Sequence, residues 1–219
     1  MDGKKDEQLS AKFKVIDGRR FQLLDDSNYF LPNDSGEEER LDLQHAILKH
    51  AFNGNFSAPV DQLLRSGARV LDVGLVGKDK VFNATTYQLS TSNQSNFLHS
   101  CGSGIWTLDL AKEYPNSYFI GIDIVPTVLT GEKPSNVEFI EYNVLDGLPF
   151  NNNSFDYVFA RALISVYSRA QWTELAIPEY SRVTKPGGWV ELMEFDGIVK
   201  GECENVQRMN SAGKLEFEG

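Results

Sequence analysis

Cysteine and histidine are scarce in this sequence, and their scarcity argues against two classes of site. The 219 residues include two cysteines, Cys101 and Cys203, and three histidines. Two cysteines give neither a disulfide framework nor the repeated cysteine spacing of a zinc site. His45 and His50 are five residues apart, which places them on different faces of a helix and argues against a shared metal. We therefore expect no bound metal.

Long hydrophobic runs and an excess of positive charge are also missing. No apolar run reaches the roughly 20 residues that span a bilayer, and residues 1–10 lack the hydrophobic segment of a secretory signal. The 31 acidic residues outnumber the 21 basic ones, for a formal charge of −10. Because an acidic surface repels phosphate backbones, we expect no nucleic-acid partner. Because no apolar run is long enough to span a bilayer, we expect no membrane partner. The expected location is cytoplasmic, with the nucleus as the alternative, and the oligomeric state stays open.

The chain does contain enough apolar sequence for one core. Hydrophobic residues make up 41% and charged residues 24%, a composition typical of a globular domain. The length suits one domain with appendages. We divide it into an N-terminal arm and helical lid segment over residues 1–66, a core over residues 67–196 and a tail over residues 197–219.

A helix is predicted to begin near Ser35. Ser35 and Glu38 fit a capping box, and the acidic run at residues 37–39 suits the positive end of a helix dipole. Gly54 is predicted to end this helix, and a shorter helical piece is predicted at residues 59–64. The apolar face of the long helix is predicted to consist of Leu41, Leu43, Ile47, Leu48, Ala51 and Phe52.

From residue 69 onwards, apolar strands alternate with helices. Helices are predicted at 105–114 and 171–183, the second disturbed by Pro178, and residues 185–188 are predicted to form a turn. Such alternation is typical of an α/β fold with a parallel sheet covered on both faces. Right-handed crossovers predict the strand order 3-2-1-4-5. The five predicted strands are 69–74, 118–123, 137–142, 155–160 and 189–195.

One segment interrupts this alternation. Residues 75–100 are 26 residues long, 12 of them Ser, Thr, Asn or Gln, whereas the loop from a strand to a helix usually has about 2–6 residues. Without them, residues 70–74 and 101–104 would join to read V-L-D-V-G-C-G-S-G. We predict that the segment is a foreign, disordered insertion, translated from a retained or mis-annotated intron of 78 nucleotides. The alternative is a genuine loop of this family.

The joined sequence V-L-D-V-G-C-G-S-G, followed by a helix, resembles motif I of the class I S-adenosylmethionine-dependent methyltransferases. Later motifs resemble the same family in the same order: G-I-D-I at residues 121–124, then residues 143–150, 153–158 and 182–188. The N-terminal pattern at residues 29–45, which contains Y-x-L-P-N-D and Q-H, resembles a fungal subgroup that includes regulators of secondary metabolism. Together these similarities cover roughly residues 20–196.

The resemblance implies a Rossmann-like fold, S-adenosylmethionine as the cofactor, and methyl transfer to a small-molecule or protein acceptor. The sixth and seventh strands of the family's fold would need more than the 24 residues that follow Phe195. We therefore expect both strands to be absent and the edge at strand five to be open. The residues expected at the cofactor are Asp72, Gly74, Gly102, Gly104, Asp123, Ile124, Asn143 and Val144.

Physical chemistry supports the same ligand. Glycines 74, 102 and 104 let the backbone turn tightly and approach a ligand, and the helix that follows points a positive dipole at a carboxylate such as that of the methionine moiety. Asp72 suits the ammonium group, directly or through water, and Asp123 suits two ribose hydroxyls. The resemblance alone implies that Asn143 and Val144 border the adenine.

Several roles are left open. Asn143 is either an adenine contact or an ordinary turn residue. Trp106 is expected to pack the helix against the sheet, and Tyr29 and Arg40 are candidates for a lid. Arg161 either reaches the cofactor carboxylate or the acceptor, or forms a surface salt bridge.

Catalytic residues and the acceptor are not assigned. A general base is needed only where the acceptor must lose a proton. The fourth strand runs into Phe-Ala-Arg at residues 159–161 and lacks the Asn/Asp-Pro-Pro-aromatic tetrapeptide of many amide and nucleobase N-methyltransferases. This favours a small-molecule or protein acceptor.

Two other functions remain as alternatives. Gly102 and Gly104, followed by Asp123, imitate the fingerprint of an NAD(P)-dependent oxidoreductase. The third glycine of that fingerprint is replaced by Thr107, and no Tyr-x-x-x-Lys pair follows. The second alternative is a non-catalytic interaction module that keeps the methyltransferase fold, because the insertion and the short C-terminal part both depart from the family.

Overall fold

A parallel five-stranded sheet forms the centre of the protein. The computed structural model describes residues 13–22, 35–74, 104–123, 133–163 and 167–194. Within them, the strands lie in the order β5-β4-β3-β6-β7, and all four neighbouring pairs are parallel. The predicted order 3-2-1-4-5 is therefore confirmed. The strands are β3 (Arg69–Val73), β4 (Tyr118–Asp123), β5 (Val137–Glu141), β6 (Phe155–Arg161) and β7 (Thr184–Met193).

Helices cover both faces of this sheet, as predicted. The helices are α1 (Ser35–Ala51), α2 (Asp61–Ser66), α3 (Ile105–Glu113), α4 (Arg169–Gln171) and α5 (Ile177–Val183), and a π-helical segment, Trp172–Ala176, joins α4 to α5. On one face, α3 buries Trp106 and Leu110 against the aromatic side chains of β6. On the other face, Tyr180 of α5 is buried in an apolar cluster that also contains Leu71 of β3 and Val158 of β6. Pro178 lies at the start of α5, directly after the wider π-helical turn.

The predicted turn at residues 185–188 is wrong, because these residues belong to β7. Phe155 pairs with Thr184 and Tyr157 with Trp189, so four residues of β7 oppose the single Asp156 in a bulge. Lys185 Nζ lies 2.8 Å from Asp156 Oδ1, and a Cβ at Gly188 would lie 2.7 Å from the Asp156 carbonyl oxygen. The Pro-Gly-Gly sequence thus permits a close approach of two strands rather than a reversal of the chain.

A short hairpin precedes the sheet, and the sequence patterns above did not predict it. Strands β1 (Phe13–Ile16) and β2 (Arg19–Gln22) pair antiparallel. Asp17 and Gly18 connect them with φ angles of 50° and 77°. An Asp-Gly pair is the sequence signal for such a two-residue turn. Residues 1–12, the beginning of the predicted N-terminal arm, lie outside the described residues.

The buried face of α1 differs from the predicted one. Leu41 and Leu48 are buried as expected, but Leu43 is 62% exposed and Ile47 is 50% exposed. Ala51 and Phe52 are exposed as well. Gln44 and His45 occupy the buried stripe instead. The helix turns this polar stripe towards the core because His45 meets charged groups on α3 and β6.

The connection between α1 and α2 is fastened to the sheet by Glu191 on β7. Its two carboxylate oxygens accept hydrogen bonds from the backbone N–H groups of Ser57 and Ala58 at 2.8 and 2.9 Å. Tyr157 on β6 donates its hydroxyl to the same carboxylate at 2.8 Å. These bonds fix the position at which α1 meets the sheet.

Strand β7 lies at the edge of the sheet in the described part of the chain, where it pairs with β6 alone. Trp189, Val190 and Leu192 on β7 are 39–42% exposed. Residues 195–219 lie outside the described residues. None of the described helices has the length and apolar character needed to cross a membrane.

Candidate functional site

The candidate site lies at the carboxyl ends of β3, β4 and β5. The backbone N–H of Gly74, which follows β3, donates to the carbonyl of Ile122 at 2.7 Å. Tyr142 N–H, which follows β5, donates to the carbonyl of Asp123 at 2.9 Å. Gly74, Asp123 and Tyr142 therefore lie side by side along one edge of the sheet, where open α/β sheets bind their ligands.

Asp72 joins this edge to the first turn of α3. The residue is 3% exposed, and its Oδ2 accepts a hydrogen bond from Thr107 Oγ1 at 2.7 Å. Thr107 itself is completely buried. In the sequence, Thr107 stood out only as the replacement of a fingerprint glycine, whereas the structure gives its hydroxyl a direct bond to a predicted site residue.

Gly104 provides the backbone conformation that lets α3 begin next to Asp72. It precedes the helix with φ 68° and ψ 8°, a left-handed conformation that favours glycine. Two residues later, Trp106 stacks on Phe159 of β6 with ring centroids 4.0 Å apart. This confirms the expectation that Trp106 packs the helix against the sheet, and it directs the positive end of α3 to the candidate site.

Asn143 and Val144 follow β5. The Asn143 side-chain oxygen accepts a hydrogen bond from Leu145 N–H at 3.1 Å, which is a turn-capping contact. Val144 is 2% exposed and belongs to the apolar cluster on the α5 side of the sheet. Gly102 and Ile124 lie outside the described residues. Of the six predicted residues that are described, five lie on or just after β3, β4 and β5, and Gly104 precedes α3.

A chain of polar contacts links α1 to α3 and β6. His45 Nε2 lies 3.2 Å from Asp109 Oδ2, and Lys49 Nζ lies 2.7 Å from the same oxygen. On its other side, His45 Nδ1 lies 3.3 Å from Arg161 Nη1. Arg161 is 7% exposed, so among the alternatives left open for this residue, an exposed position in a surface salt bridge does not match the structure. No periodicity in the sequence indicated this link, because its members lie far apart in the chain.

The contacts of His45 define its protonation state. A guanidinium group has only donors, so Nδ1 must accept the hydrogen bond from Arg161. Nε2 then carries the proton and donates to Asp109. Burial lowers the pKa of His45 from its ordinary value of 6.5, the hydrogen bond to Asp109 opposes that change, and the positive charges of Arg161 and Lys49 lower the pKa further.

Because the pKa of His45 is lowered in the folded protein, we expect the protein to lose stability in mild acid. Because the pKa of His45 is lower in the folded than in the unfolded protein, the unfolded chain takes up the proton first as the pH falls below about 6.5. The contribution of neutral His45 to the free energy of unfolding is complete above that pH, and it decreases as the pH falls towards the pKa of His45 in the folded protein. In urea unfolding, the free energy of unfolding should decrease less between pH 7.5 and pH 5 for His45→Gln than for the wild type. An identical decrease in both proteins would contradict the assignment.

The bond between Thr107 and Asp72 gives a second prediction. Thr107→Val removes the hydroxyl but keeps the shape, leaving the buried Asp72 carboxylate without this donor. We expect the free energy of unfolding to fall by about 1–3 kcal/mol. Thr173→Val is the matched control, because Thr173 is exposed and its hydroxyl donates to backbone carbonyls of its own helix. Equal effects of the two substitutions in urea unfolding would contradict the prediction.

The groups at this edge suit a nucleoside that carries an amino acid. Two buried carboxylates, Asp72 and Asp123, match an ammonium group and a pair of vicinal hydroxyls. The positive end of α3 matches a carboxylate. The described residues include no group of three or more His, Cys, Asp or Glu side chains arranged to hold a metal.

Comparison with known proteins agrees with this assignment. A family model described as "Methyltransferase domain" matches residues 99–188. The N-methyltransferase tcpN of Claviceps purpurea is 30% identical over 179 residues, which cover 78% of this chain and 53% of the relative. The secondary metabolism regulator laeA of Coprinopsis cinerea is 28% identical over 183 residues, which cover 82% of this chain and 38% of the relative.

The chain therefore spans about half, or less, of the length of these relatives. Among solved structures, a putative S-adenosylmethionine-dependent methyltransferase of Methanococcus maripaludis is similar, with 13% identity, a TM-score of 0.47 and coverage of 84% of this chain and 69% of that one. The sequence matches and the motifs at the strand ends agree with one another: part of the chain matches the methyltransferase domain family, and the chain is similar to methyltransferases of fungal secondary metabolism.

Proposed function

We propose that the chain binds S-adenosylmethionine at the carboxyl ends of β3, β4 and β5 and transfers its methyl group to a small-molecule or protein acceptor. The observation that carries the proposal is the common position of Asp72, Gly74 and Asp123 at one strand edge, beside the start of α3. Asp123 would accept hydrogen bonds from the ribose hydroxyls, and the first turn of α3 would face the methionine end. Gly102, Ile124, Asn143 and Val144 stay predicted cofactor contacts.

The residues of the chain act mainly by positioning. When bound, S-adenosylmethionine supplies a methyl group already activated by its sulfonium, so alignment with the acceptor provides much of the acceleration. A base is required only for an acceptor that must lose a proton, and none is assigned. Because tcpN is named an N-methyltransferase, a nitrogen atom is the first acceptor to test. The Phe159-Ala160-Arg161 sequence at the end of β6 favours a small-molecule or protein acceptor over a nucleobase.

The oxidoreductase alternative is disfavoured by the position of Thr107. The third glycine of a dinucleotide fingerprint allows the helix to pack closely on the strand. Here that position carries a buried threonine whose hydroxyl is bonded to Asp72. The close helix–strand contact of a dinucleotide site is therefore replaced by a side-chain hydrogen bond.

Titration calorimetry of the full chain with three ligands tests the proposal. We expect S-adenosylmethionine and its demethylated product, S-adenosylhomocysteine, to bind, and NAD not to bind. Binding of NAD without S-adenosylmethionine would reverse the assignment. If both adenosyl ligands bind but no methyl group reaches a panel of amine, hydroxyl and peptide acceptors, the non-catalytic module replaces the enzyme as the function.

A further inference from the structure

Arg161 occupies a position next to the glycine turn that follows β3. In the parallel pairing of β3 with β6, Val73 is opposite Ala160, so the next residues, Gly74 and Arg161, are at the same level on neighbouring strands. Neighbouring strands are about 4.8 Å apart. The last residue of β6 thus lies beside the backbone expected to approach the methionine moiety.

Its side chain belongs to the face of the sheet that α3 covers. Side chains alternate along a strand, and Tyr157 and Phe159 of β6 both pack in the cluster that contains Trp106 of α3. Arg161 continues this alternation and reaches His45 of α1, which in turn contacts Asp109 of α3. Asp72 faces the same helix through its bond with Thr107.

Asp72 and Arg161 therefore form a pair of opposite charges on one face. Asp72 is level with Phe159, two residues before Arg161 on the neighbouring strand. This diagonal corresponds to a separation of about 8 Å between backbones. An α-amino acid carries an ammonium and a carboxylate group on one carbon, and a carboxylate side chain facing an arginine side chain complements both. Arginine matches a carboxylate with two parallel N–H groups.

His45 holds the guanidinium in place without neutralising it. As a neutral acceptor, its Nδ1 receives one N–H of Arg161 at 3.3 Å and itself adds no negative charge beside the guanidinium. Its own orientation is fixed by Asp109, which also binds Lys49. The helix α1 thus anchors a cation at the end of β6, and the bonds of Glu191 fix the connection that follows this helix.

We propose that Arg161 binds the carboxylate of the methionine moiety of S-adenosylmethionine, and that His45 is its positioning residue. This assignment rests on the proposed function. It explains why the buried face of α1 is polar at residue 45, where the sequence pattern favoured an apolar stripe. A carboxylate on the methyl acceptor is the other ligand of the same chemistry, and the experiment separates the two.

The experiment compares two ligands that differ only at the amino-acid end. S-adenosylhomocysteine carries the carboxylate and ammonium groups, whereas 5′-methylthioadenosine keeps the nucleoside and thioether without them. We expect Arg161→Gln to weaken S-adenosylhomocysteine about 10- to 100-fold, the effect of one hydrogen-bonded charge pair, and to leave 5′-methylthioadenosine within about twofold. His45→Phe should likewise lower the affinity for S-adenosylhomocysteine relative to that for 5′-methylthioadenosine. His45→Gln should restore this ratio of affinities, because its amide can accept a hydrogen bond from Arg161 and donate one to Asp109.

Other results would overturn the assignment. Equal weakening of both ligands would give Arg161 a purely structural role, and unchanged binding of both would place its ligand on the acceptor. If Arg161→Gln does not fold, as judged by circular dichroism and thermal unfolding, Arg161→Lys provides the same ratio, because it keeps the charge and loses the paired N–H groups. A wild-type chain that binds neither ligand would contradict the proposed function itself, which distinguishes that failure from an error about Arg161.

Discussion

Deletion of residues 75–100 should strengthen the binding of S-adenosylhomocysteine about 10- to 100-fold. The deletion would make Gly74 and Cys101 neighbours and restore the continuous motif V-L-D-V-G-C-G-S-G. Backbone N–H groups that bind a charged ligand contribute about 1.5–3 kcal/mol each, and 1.4 kcal/mol corresponds to a tenfold change in affinity. Recovery of one such group is enough for the expected effect.

The interpretation of this segment as an insertion stays a prediction, and two observations bear on it. The methyltransferase family model begins its match at residue 99, at the end of the segment, and does not include β3, the central strand of the sheet. The two parts of the fold on either side of the segment, β3 and α3, are nonetheless joined by the bond between Asp72 and Thr107. Residues 75–103 themselves lie outside the described part of the chain.

Loop entropy does not prevent folding with the segment in place. Extending a loop from about 5 to about 31 residues costs only about 1.6 kcal/mol, so the expected damage is to ligand affinity. A chain in which a Gly/Ser sequence of equal length replaces residues 75–100 is the matched control and should bind as weakly as the wild type. Equal or weaker binding after the deletion would contradict the prediction, as would transcripts that uniformly retain these codons.

Asp123→Ala should weaken the binding of S-adenosylmethionine and S-adenosylhomocysteine by about 100-fold or more. Asp123 ends β4, is 3% exposed, and is the acid expected to accept hydrogen bonds from both ribose hydroxyls. Loss of two charge-assisted hydrogen bonds removes about 3–6 kcal/mol of binding free energy. Asp123→Asn, which keeps one neutral acceptor, should lie between the alanine variant and the wild type in calorimetric titrations.

Glu138→Gln is the control for this substitution. Glu138 is an exposed acid on the neighbouring strand β5, at the level of Ile120 and away from the carboxyl end. It should leave both affinities within about twofold. Wild-type affinity in Asp123→Ala, with the fold intact by circular dichroism, would show that the ribose lies elsewhere. An effect of Glu138→Gln as large as that of Asp123→Ala would point to the overall charge of the sheet instead.

The sequence by itself determined the sheet and the positions of its acids. The strands that contain Leu71, Ile120 and Val158 are continuous apolar segments, and such segments can only be buried between two layers of helices. Parallel strands with right-handed connections then leave few possible orders. Since Asp72 and Asp123 lie at or near the ends of their strands, the same pattern is sufficient to place both acids at one edge of the sheet.

Only the tertiary structure decided which groups surround that edge. Helical periodicity offers two neighbouring stripes on α1, one with Leu43 and Ile47 and one with Gln44 and His45, and apolarity favours the first. The second is buried because His45 meets Asp109 and Arg161, which are 64 and 116 residues further along the chain. Local sequence does not contain partners at that distance, so the free energy that orients α1 arises only when the helices and the sheet pack together.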